Sequence, residues 1–210
     1  YDFVEMNDMI FGPWLGKGIT VLYITYFFYL LSLNAADIGE FYSDYIMTDT
    51  PEIIFSIMFV LVSAYCLKKG IENIARVNLF SFVITWLVVG STFLLLLGRM
   101  DFSNFLPILR TDPQRLWKGV HIFAAFPFGE VVVFLTVMPS LSNHKHAIKY
   151  TFWGLGLAAL TLFIITVRNT AVLGGATGIY NESSYQAVRL IDIWNVLNRV
   201  ELLVAISFTI

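Results

Sequence analysis

The chain has 210 residues, of which 58% are hydrophobic and 13% charged, and its formal net charge is −2. Soluble domains carry roughly 25% charged residues, so this composition indicates an integral membrane protein and excludes an ordinary soluble domain. No basic run suggests nucleic-acid binding, and the single cysteine, Cys66, excludes an intrachain disulfide framework.

Runs of apolar residues bounded by charged or turn residues predict six membrane helices, because a helix needs about 20 residues to cross a bilayer. The runs are too long and too uniformly apolar for barrel strands, so the predicted fold class is an all-α polytopic membrane protein. The predicted spans are residues 15–37, 51–67, 75–97, 119–139, 150–173 and a truncated 195–210. No soluble domain or long linker is visible, which predicts a single transmembrane domain over residues 1–210.

The segments between and around these spans give four weaker expectations. A short amphipathic lead-in precedes the first span and ends at Gly12-Pro13. The 68–76 and 143–149 loops are short and basic, which favours the cytoplasmic side for both. Residues 184–194 alternate apolar and polar groups at helical spacing and are expected to lie along the membrane surface. Because the sequence opens with Tyr1 and stops inside an apolar run, we expect an internal piece of a longer protein.

The fourth span contains the sequence Phe126-Pro127-Phe128-Gly129-Glu130, which predicts a carboxylate beside a broken helix. Proline removes a backbone donor and clashes with the preceding turn, while glycine tolerates dihedral angles that other residues avoid. Backbone exposed near the bilayer midplane is tolerated only where it lines a cavity or is buried in protein. An ionisable side chain at that depth is a functional-site hypothesis. The alternative is a simple proline kink, with Glu130 paired to a neighbouring helix.

Three tyrosines follow one another at intervals of three residues in the first span, so they spread over one broad side of that helix. Tyr26 lies about halfway across, where its ring offers an apolar wall and its hydroxyl one hydrogen-bonding group for a small polar ligand. Aromatic packing is an equal alternative for Tyr26. For Tyr23 and Tyr29 packing is favoured.

Other polar residues near the predicted spans are expected to have structural roles or roles that stay open. Asp37 and Glu40, at the end of the first span, are expected to be solvated. Arg168, late in the fifth span, is expected to snorkel to the headgroups, although a pair with Asp37 or Glu130 is conceivable. A polar cluster whose role is open marks the mouth of the sixth span: Asn195, Asn198, Arg199 and Glu201.

Motifs for metal binding and nucleophilic catalysis are missing. His121, His144 and His146 show no ligand spacing with carboxylates on a plausible helix. There is no glycine-rich phosphate loop and no nucleophile elbow. The sequence therefore predicts no metal, no cofactor and no enzymatic activity.

A series of short motifs runs in order along nearly the whole chain. The motifs are Gly12-Pro13-Trp14-Leu15-Gly16-Lys17, Thr50-Pro51, Lys69-Gly70-Ile71-Glu72 with Arg76, Asn104-Phe105-Leu106-Pro107, Phe126-Pro127-Phe128-Gly129-Glu130, Leu190-Ile191-Asp192-Ile193 and Asn198-Arg199-Val200-Glu201. In this order and spacing they resemble the B subunit of spore-germinant receptors, of the spore permease family within the amino acid–polyamine–organocation superfamily. Each motif is weak alone, and the ordered set is specific.

The resemblance implies a transporter-like bundle of ten helices in two inverted five-helix repeats. This chain would hold helices three to eight, with the broken span as helix six, while helix one would supply the other broken half of the site. It also implies sensing of amino-acid-like germinants in the inner membrane of bacterial spores, together with A and C receptor subunits. By the same resemblance, Phe126, Pro127, Phe128, Gly129 and Glu130 would line the ligand pocket from helix six. Tyr26 would line it from helix three.

Two functions of different classes remain open at this point. In a receptor subunit, a small zwitterion binds at the broken helices, where a half-helix N-terminus offers unpaired N–H groups to a carboxylate. In a proton- or sodium-coupled amino acid transporter, Glu130 would carry the proton. A membrane scaffold with a vestigial pocket is the third and least favoured interpretation.

Overall fold

A computed structural model describes residues 3–107, 112–137 and 146–191, together with Ala205. Within these residues all regular structure is helical, which confirms the predicted all-α class. The α-helices are α1 (Phe3–Phe41), α2 (Glu52–Lys68), α3 (Ile71–Leu96), α4 (Pro113–Ala125), α5 (Phe134–Val137), α6 (Ala147–Leu173) and α7 (Ser183–Arg189). A π-helical turn covers Tyr42–Ile46, and 3₁₀ segments cover Leu97–Arg99, Phe102–Phe105, Phe128–Val133 and Gly174–Gly178.

Four helical stretches in the described part of the chain are long and apolar enough to cross a membrane. They are Phe3–Ile46, Ile71–Arg99, Pro113–Val133 and Ala147–Gly178. The chain is therefore an integral membrane protein. The predicted second span appears as α2, whose 17 residues extend about 26 Å, somewhat less than the roughly 30 Å hydrocarbon core. The predicted sixth span, 195–210, lies outside the described residues except for Ala205.

The fourth span begins earlier than its apolar pattern predicts. Helix α4 starts at Pro113, because the Asp112 carboxylate accepts the backbone N–H of Gln114 at 3.2 Å and proline suits the first helical position. Arg115 and Lys118, which the hydropathy pattern placed in a loop, therefore lie on the helix itself. The hydropathy pattern missed this helix start because it measures apolar character and contains no information on the hydrogen bonds that cap a helix.

Helix α1 reverses direction at Gly12, where φ is 79° and ψ is 165°. The ring of Phe3 packs edge-on against Tyr23 with centroids 5.1 Å apart. The buried Asn7 side chain donates to the Thr20 hydroxyl at 3.2 Å. Residues before Gly12 therefore run antiparallel to those after it. The predicted end of the lead-in at Gly12-Pro13 is confirmed.

The described residues fall into two compact units, one from residues 1–68 and 112–151 and the other from 69–111 and 152–210. In the first unit, small residues on α1 let α2 approach closely. Ala35 and Gly39 are buried, and the Ser56 hydroxyl donates to the Ala35 carbonyl at 2.8 Å. Beyond the end of α1, the rings of Tyr42 and Phe55 stack with centroids 5.3 Å apart.

We expect Gly39→Ala to lower the free energy of unfolding by roughly 1–3 kcal/mol, because overpacking a tight contact forces its neighbours to move. The added methyl group would overlap the Ser56 hydroxyl and stand 3.0 Å from the Glu52 carbonyl oxygen. Gly18→Ala is the matched control, because nothing lies within 4 Å of a methyl group there. Thermal unfolding in detergent micelles measures both variants, and equal melting temperatures would contradict the close approach.

The second unit has a small apolar core between the end of α3 and helix α7. Its buried members are Leu96, Ala187, Val188 and Ile191, with Met100, Val172 and Leu173 packed against them. The expectation that residues 184–194 lie along the membrane surface is therefore corrected for the described part of that segment. Helix α7 covers only Ser183–Arg189, and Tyr185, Ala187 and Val188 on its apolar side are buried in protein, which removes that side from solvent.

The loop after α3 caps the end of α6. The backbone N–H of Asp101 and the side-chain amide of Asn104 both donate to the Ala171 carbonyl, at 2.9 and 3.0 Å. This carbonyl is in the last turn of α6, where helical partners run out. The Ser103 hydroxyl, and after it the Ser103 backbone N–H, lower the pKa of the Asp101 carboxyl. The loop is thus held to α6 by its hydrogen bonds to Ala171 and is held internally by the contact between Asp101 and Ser103.

Candidate functional site: the broken helix

The interruption predicted in the fourth span is confirmed. Helix α4 ends at Ala125, and Phe126 is extended, with φ −139° and ψ 121°. The Phe126 N–H still donates to the Ile122 carbonyl at 2.8 Å, which closes the last turn. After Pro127 the chain resumes as the 3₁₀ segment Phe128–Val133. The α-helical hydrogen-bond ladder is therefore open at the position of Pro127.

A carboxylate oxygen without a partner lies just beyond the break. Glu130 is half-buried, and its Oε1 atom is buried without a hydrogen bond to any described residue. A buried acceptor without a donor is costly, so such an atom indicates a missing N–H or O–H group. The alternative expectation is a simple kink with Glu130 paired to a neighbouring helix. Among the described residues Glu130 forms no ion pair.

The remaining residues of the break form an open apolar surface. Phe126 is 52% exposed, Pro127 and Gly129 are exposed, and Phe128 is half-buried. A methyl group at Gly129 would stand 3.4 Å from the Ala124 carbonyl oxygen, so the chain returns close to the last turn of α4. The break therefore offers aromatic walls beside a polar helix end.

The electrostatics of the break favour a cation. The C-terminal carbonyl groups of a helix carry partial negative charge, and α4 ends here with 13 residues behind it. The Glu130 carboxylate adds to this field. The half-helix N-terminus expected to receive a carboxylate is not seen at the break itself, because the chain continues there as the 3₁₀ segment Phe128–Val133, and α5 is described only over Phe134–Val137. Residues 138–145 lie outside the described part.

The structure places the three tyrosines of α1 in different surroundings. Its half-buried ring packs against Phe27 with centroids 5.7 Å apart, and it makes no hydrogen bond or ring contact with residues 126–130 in the described part. Tyr23 packs between Phe3 and Phe27, as its packing interpretation predicts. Tyr29 is 59% exposed. A role for Tyr26 in the site stays a prediction.

The other candidate polar groups do not join the break. Asp37 and Glu40 are exposed on α1, as expected for solvated acids. No group of three or more potential metal ligands occurs among the residues that the structure describes. Five residues singled out from the sequence lie outside that part: His144, Asn195, Asn198, Arg199 and Glu201.

The expectation that Arg168 snorkels to the headgroups is wrong. Arg168 is 2% exposed, and its guanidinium donates to the Thr92 hydroxyl at 2.6 Å and to the Asn169 side-chain oxygen at 3.1 and 2.9 Å. The Asn169 amide in turn donates to the Ser184 hydroxyl at 2.9 Å. This network joins α3, α6 and α7, and it outweighs snorkelling because Thr92 on α3 and the adjacent Asn169 on α6 supply acceptors for the guanidinium inside the protein.

Sequence reasoning missed this network because its members are far apart in the chain. The available signal was a set of polar residues within otherwise apolar helices, which often bond across membrane helices. Thr92 falls on α3, and Arg168 and Asn169 are neighbours on α6. No carboxylate pairs with Arg168 among the described residues, so three neutral-acceptor bonds hold its charge.

Comparison with known proteins assigns the chain to a family. The profile of the spore permease family, described as spore germination protein, matches residues 1–210, the whole chain. The chain belongs to this family of spore germination proteins. The resemblance found in the ordered motifs is thereby confirmed.

Relatives in Bacillus subtilis (strain 168) carry the same description. The chain is 30% identical to spore germination protein KB over 171 residues, which are 80% of this chain and 46% of that protein. It is 25% identical to spore germination protein YndE over 166 residues, 79% of this chain and 45% of that protein. It is 27% identical to the putative spore germination protein YfkT over 203 residues, 92% of this chain and 53% of that protein. The chain thus spans about half the length of these relatives. No solved structure matches it.

Proposed function

We propose that this chain is the core of the membrane-embedded, ligand-sensing B subunit of a spore germinant receptor. An amino-acid-like small molecule binds at the break between α4 and the Phe128–Val133 segment. The observation that carries the proposal is the Glu130 Oε1 atom, which is buried beside a broken membrane helix and has no donor in the part of the chain that the structure describes. An ammonium group is the donor that best fits a carboxylate oxygen next to a helix C-terminus.

Recognition divides between the two ends of a zwitterion. The ammonium group binds at Glu130 and at the open carbonyl groups of α4, and the apolar part of the ligand packs on Phe126, Pro127 and Phe128. The exposed backbone at Gly129 leaves room for it. Tyr26 contributes one wall and a hydroxyl group. In the full-length protein, a ten-helix bundle with inverted repeats completes the pocket, and this chain supplies helices three to eight.

Sensing requires only a difference in ligand affinity between two conformations. A ligand that binds one state more tightly moves the equilibrium toward it, by no more than that difference. In this proposal the shift passes to A and C receptor subunits in the inner membrane of the spore. No covalent step and no net flux of ligand is needed.

The experiment uses the full-length gene product in proteoliposomes with a panel of labelled amino acids, and it scores binding and accumulation separately. Saturable binding without accumulation is the expected result. Accumulation driven by a pH or sodium gradient would contradict the receptor function and indicate a proton- or sodium-coupled amino acid transporter. Absence of binding by every member of the panel would overturn the ligand class.

Tyr26→Phe tests the role of the hydroxyl group while keeping the ring and its packing on Phe27. We expect roughly 2- to 13-fold weaker binding of the amino acid selected by the panel, because a neutral hydrogen bond contributes about 0.5–1.5 kcal/mol. Tyr29→Phe is the matched control, since Tyr29 is 59% exposed on the same helix. Equal dissociation constants for the two variants would remove Tyr26 from the site.

A further inference from the structure

Helix α4 has a basic polar face and an apolar face. Gln114, Arg115, Lys118 and His121 share an arc of about 120° at 100° per residue. The same arc also carries Ile122 and Ala125, so its charged part is Arg115 and Lys118 near the start of the helix. The opposite arc carries Leu116, Trp117, Val120, Phe123 and Ala124. The basic face extends about 9 Å along the axis from Arg115 to His121 and stops one turn before the break.

The positive charge of this face is not neutralised by an ion pair in the described part of the chain. Arg115, Lys118 and His121 are all exposed, and none of them takes part in a salt bridge there. The Asp112 carboxylate, at the start of the helix, accepts the Gln114 backbone N–H as an N-cap. The other nearby acid, Glu130, lies beyond the break. The face is therefore a net positive strip.

A strip of this kind cannot face hydrocarbon. Charged side chains within a membrane-spanning stretch face a bundle interior or a water-filled cavity, because burial in lipid costs several kcal/mol per charge by insertion scales. Pro113–Val133 is such a stretch, and its apolar arc supplies the surface that suits lipid or protein. The basic arc therefore faces water or reaches the headgroups from the first turns of α4, and its inner end at His121 lies about one turn before the break.

We propose that the basic face of α4 forms a water-filled access route that guides a small carboxylate-bearing ligand to the break. This inference rests on the proposed function and adds the charge selection of the route. A positive strip raises the local concentration and the association rate of anions. It attracts the carboxylate end of an amino acid, while the helix end and Glu130 receive the ammonium end.

The experiment measures accessibility and charge selection without any germinant. Single cysteines are placed in the full-length protein, with Cys66 and every other cysteine replaced, in vesicles of neutral phosphatidylcholine. Gln114→Cys and Ala125→Cys report on the basic face, and Val120→Cys and Ala124→Cys on the apolar face. Each variant reacts with an anionic sulfonatoethyl and a cationic trimethylammonioethyl methanethiosulfonate.

We expect the basic-face cysteines to react at least tenfold faster than the apolar-face cysteines. At Ala125→Cys, the anionic-to-cationic rate ratio should fall about tenfold when Arg115→Gln and Lys118→Gln are added, as expected for electrostatic steering. Lys69→Gln is the control for a change of net charge elsewhere and should leave the ratio unchanged. Two positions on each face keep the comparison intact if one variant fails to fold.

Three outcomes would overturn the proposal. Unreactive cysteines on the basic face mean that protein covers it, and equal rates on both faces mean that no separate route exists. Loss of reaction at Ala125→Cys after addition of phosphatidylglycerol means that lipid headgroups occupy the strip. Because no amino acid is used, a failed germinant-binding panel and a failed access route are distinguished directly.

Discussion

Glu130→Gln is expected to weaken binding of the selected amino acid to the full-length protein by roughly 10- to 150-fold. The substitution keeps the size of the side chain and removes its charge, so an ammonium group loses a charge-assisted bond of about 1.5–3 kcal/mol. The buried Oε1 atom has no donor among the described residues, so folding should depend on this charge less than binding does. Titration of labelled ligand into proteoliposomes measures the effect.

Glu72→Gln is the matched control for the loss of one carboxylate. Glu72 pairs with Arg76 at 2.6 Å, and both side chains are more than 70% exposed, so this pair contributes little to stability. A second ligand sharpens the test: a carboxylic acid without the amino group should bind equally to Glu130→Gln and to the unaltered protein. Equal loss for both ligands would contradict recognition of an ammonium group by Glu130.

Asn169→Leu is expected to lower the free energy of unfolding by roughly 3–5 kcal/mol, the range seen when a buried charge loses its partner. Asn169 accepts two of the three described hydrogen bonds of the Arg168 guanidinium, from Nε and Nη2. Leucine cannot accept them, so the buried charge keeps only the bond to Thr92. Denaturant or thermal unfolding in detergent micelles measures the loss.

Arg168→Met should cost less than Asn169→Leu, about 1–3 kcal/mol, because it removes the charge and takes a donor only from two neutral acceptors, the Asn169 side-chain oxygen and the Thr92 hydroxyl. The double variant, Arg168→Met with Asn169→Leu, should be more stable than Asn169→Leu alone, since the uncompensated charge is gone. Asn73→Leu is the control, because Asn73 is exposed and its side-chain amide donates to the Lys69 carbonyl just before the start of α3. Additive losses in the double variant would contradict a coupled buried network.

Local sequence chemistry was sufficient to predict the break and several of the helix ends in the described part of the chain. Pro51 at the start of α2 and Gly70 before α3 set their helix boundaries within a few residues. Pro127 interrupts the fourth span at the predicted place, because a missing N–H and a ring clash act on the nearest turn alone. The sequence Asp112-Pro113 is also a typical helix start, and it predicts a helix that includes Arg115, which the hydropathy pattern does not.

Tertiary structure alone decided which polar groups are satisfied inside the protein. Glu130, whose Oε1 atom has no donor among the described residues, and Arg168, whose guanidinium is hydrogen-bonded, are both ionisable residues in apolar spans, and hydropathy treats them alike. The difference depends on partners such as Thr92, 76 positions from Arg168 in the chain. Sequence by itself determined the membrane class, the helical segments and the position of the break, because those follow from local propensity and transfer energy. The burial of Arg168 depends on the adjacent Asn169 and on the distant Thr92, which only packing of the helices brings within hydrogen-bond distance.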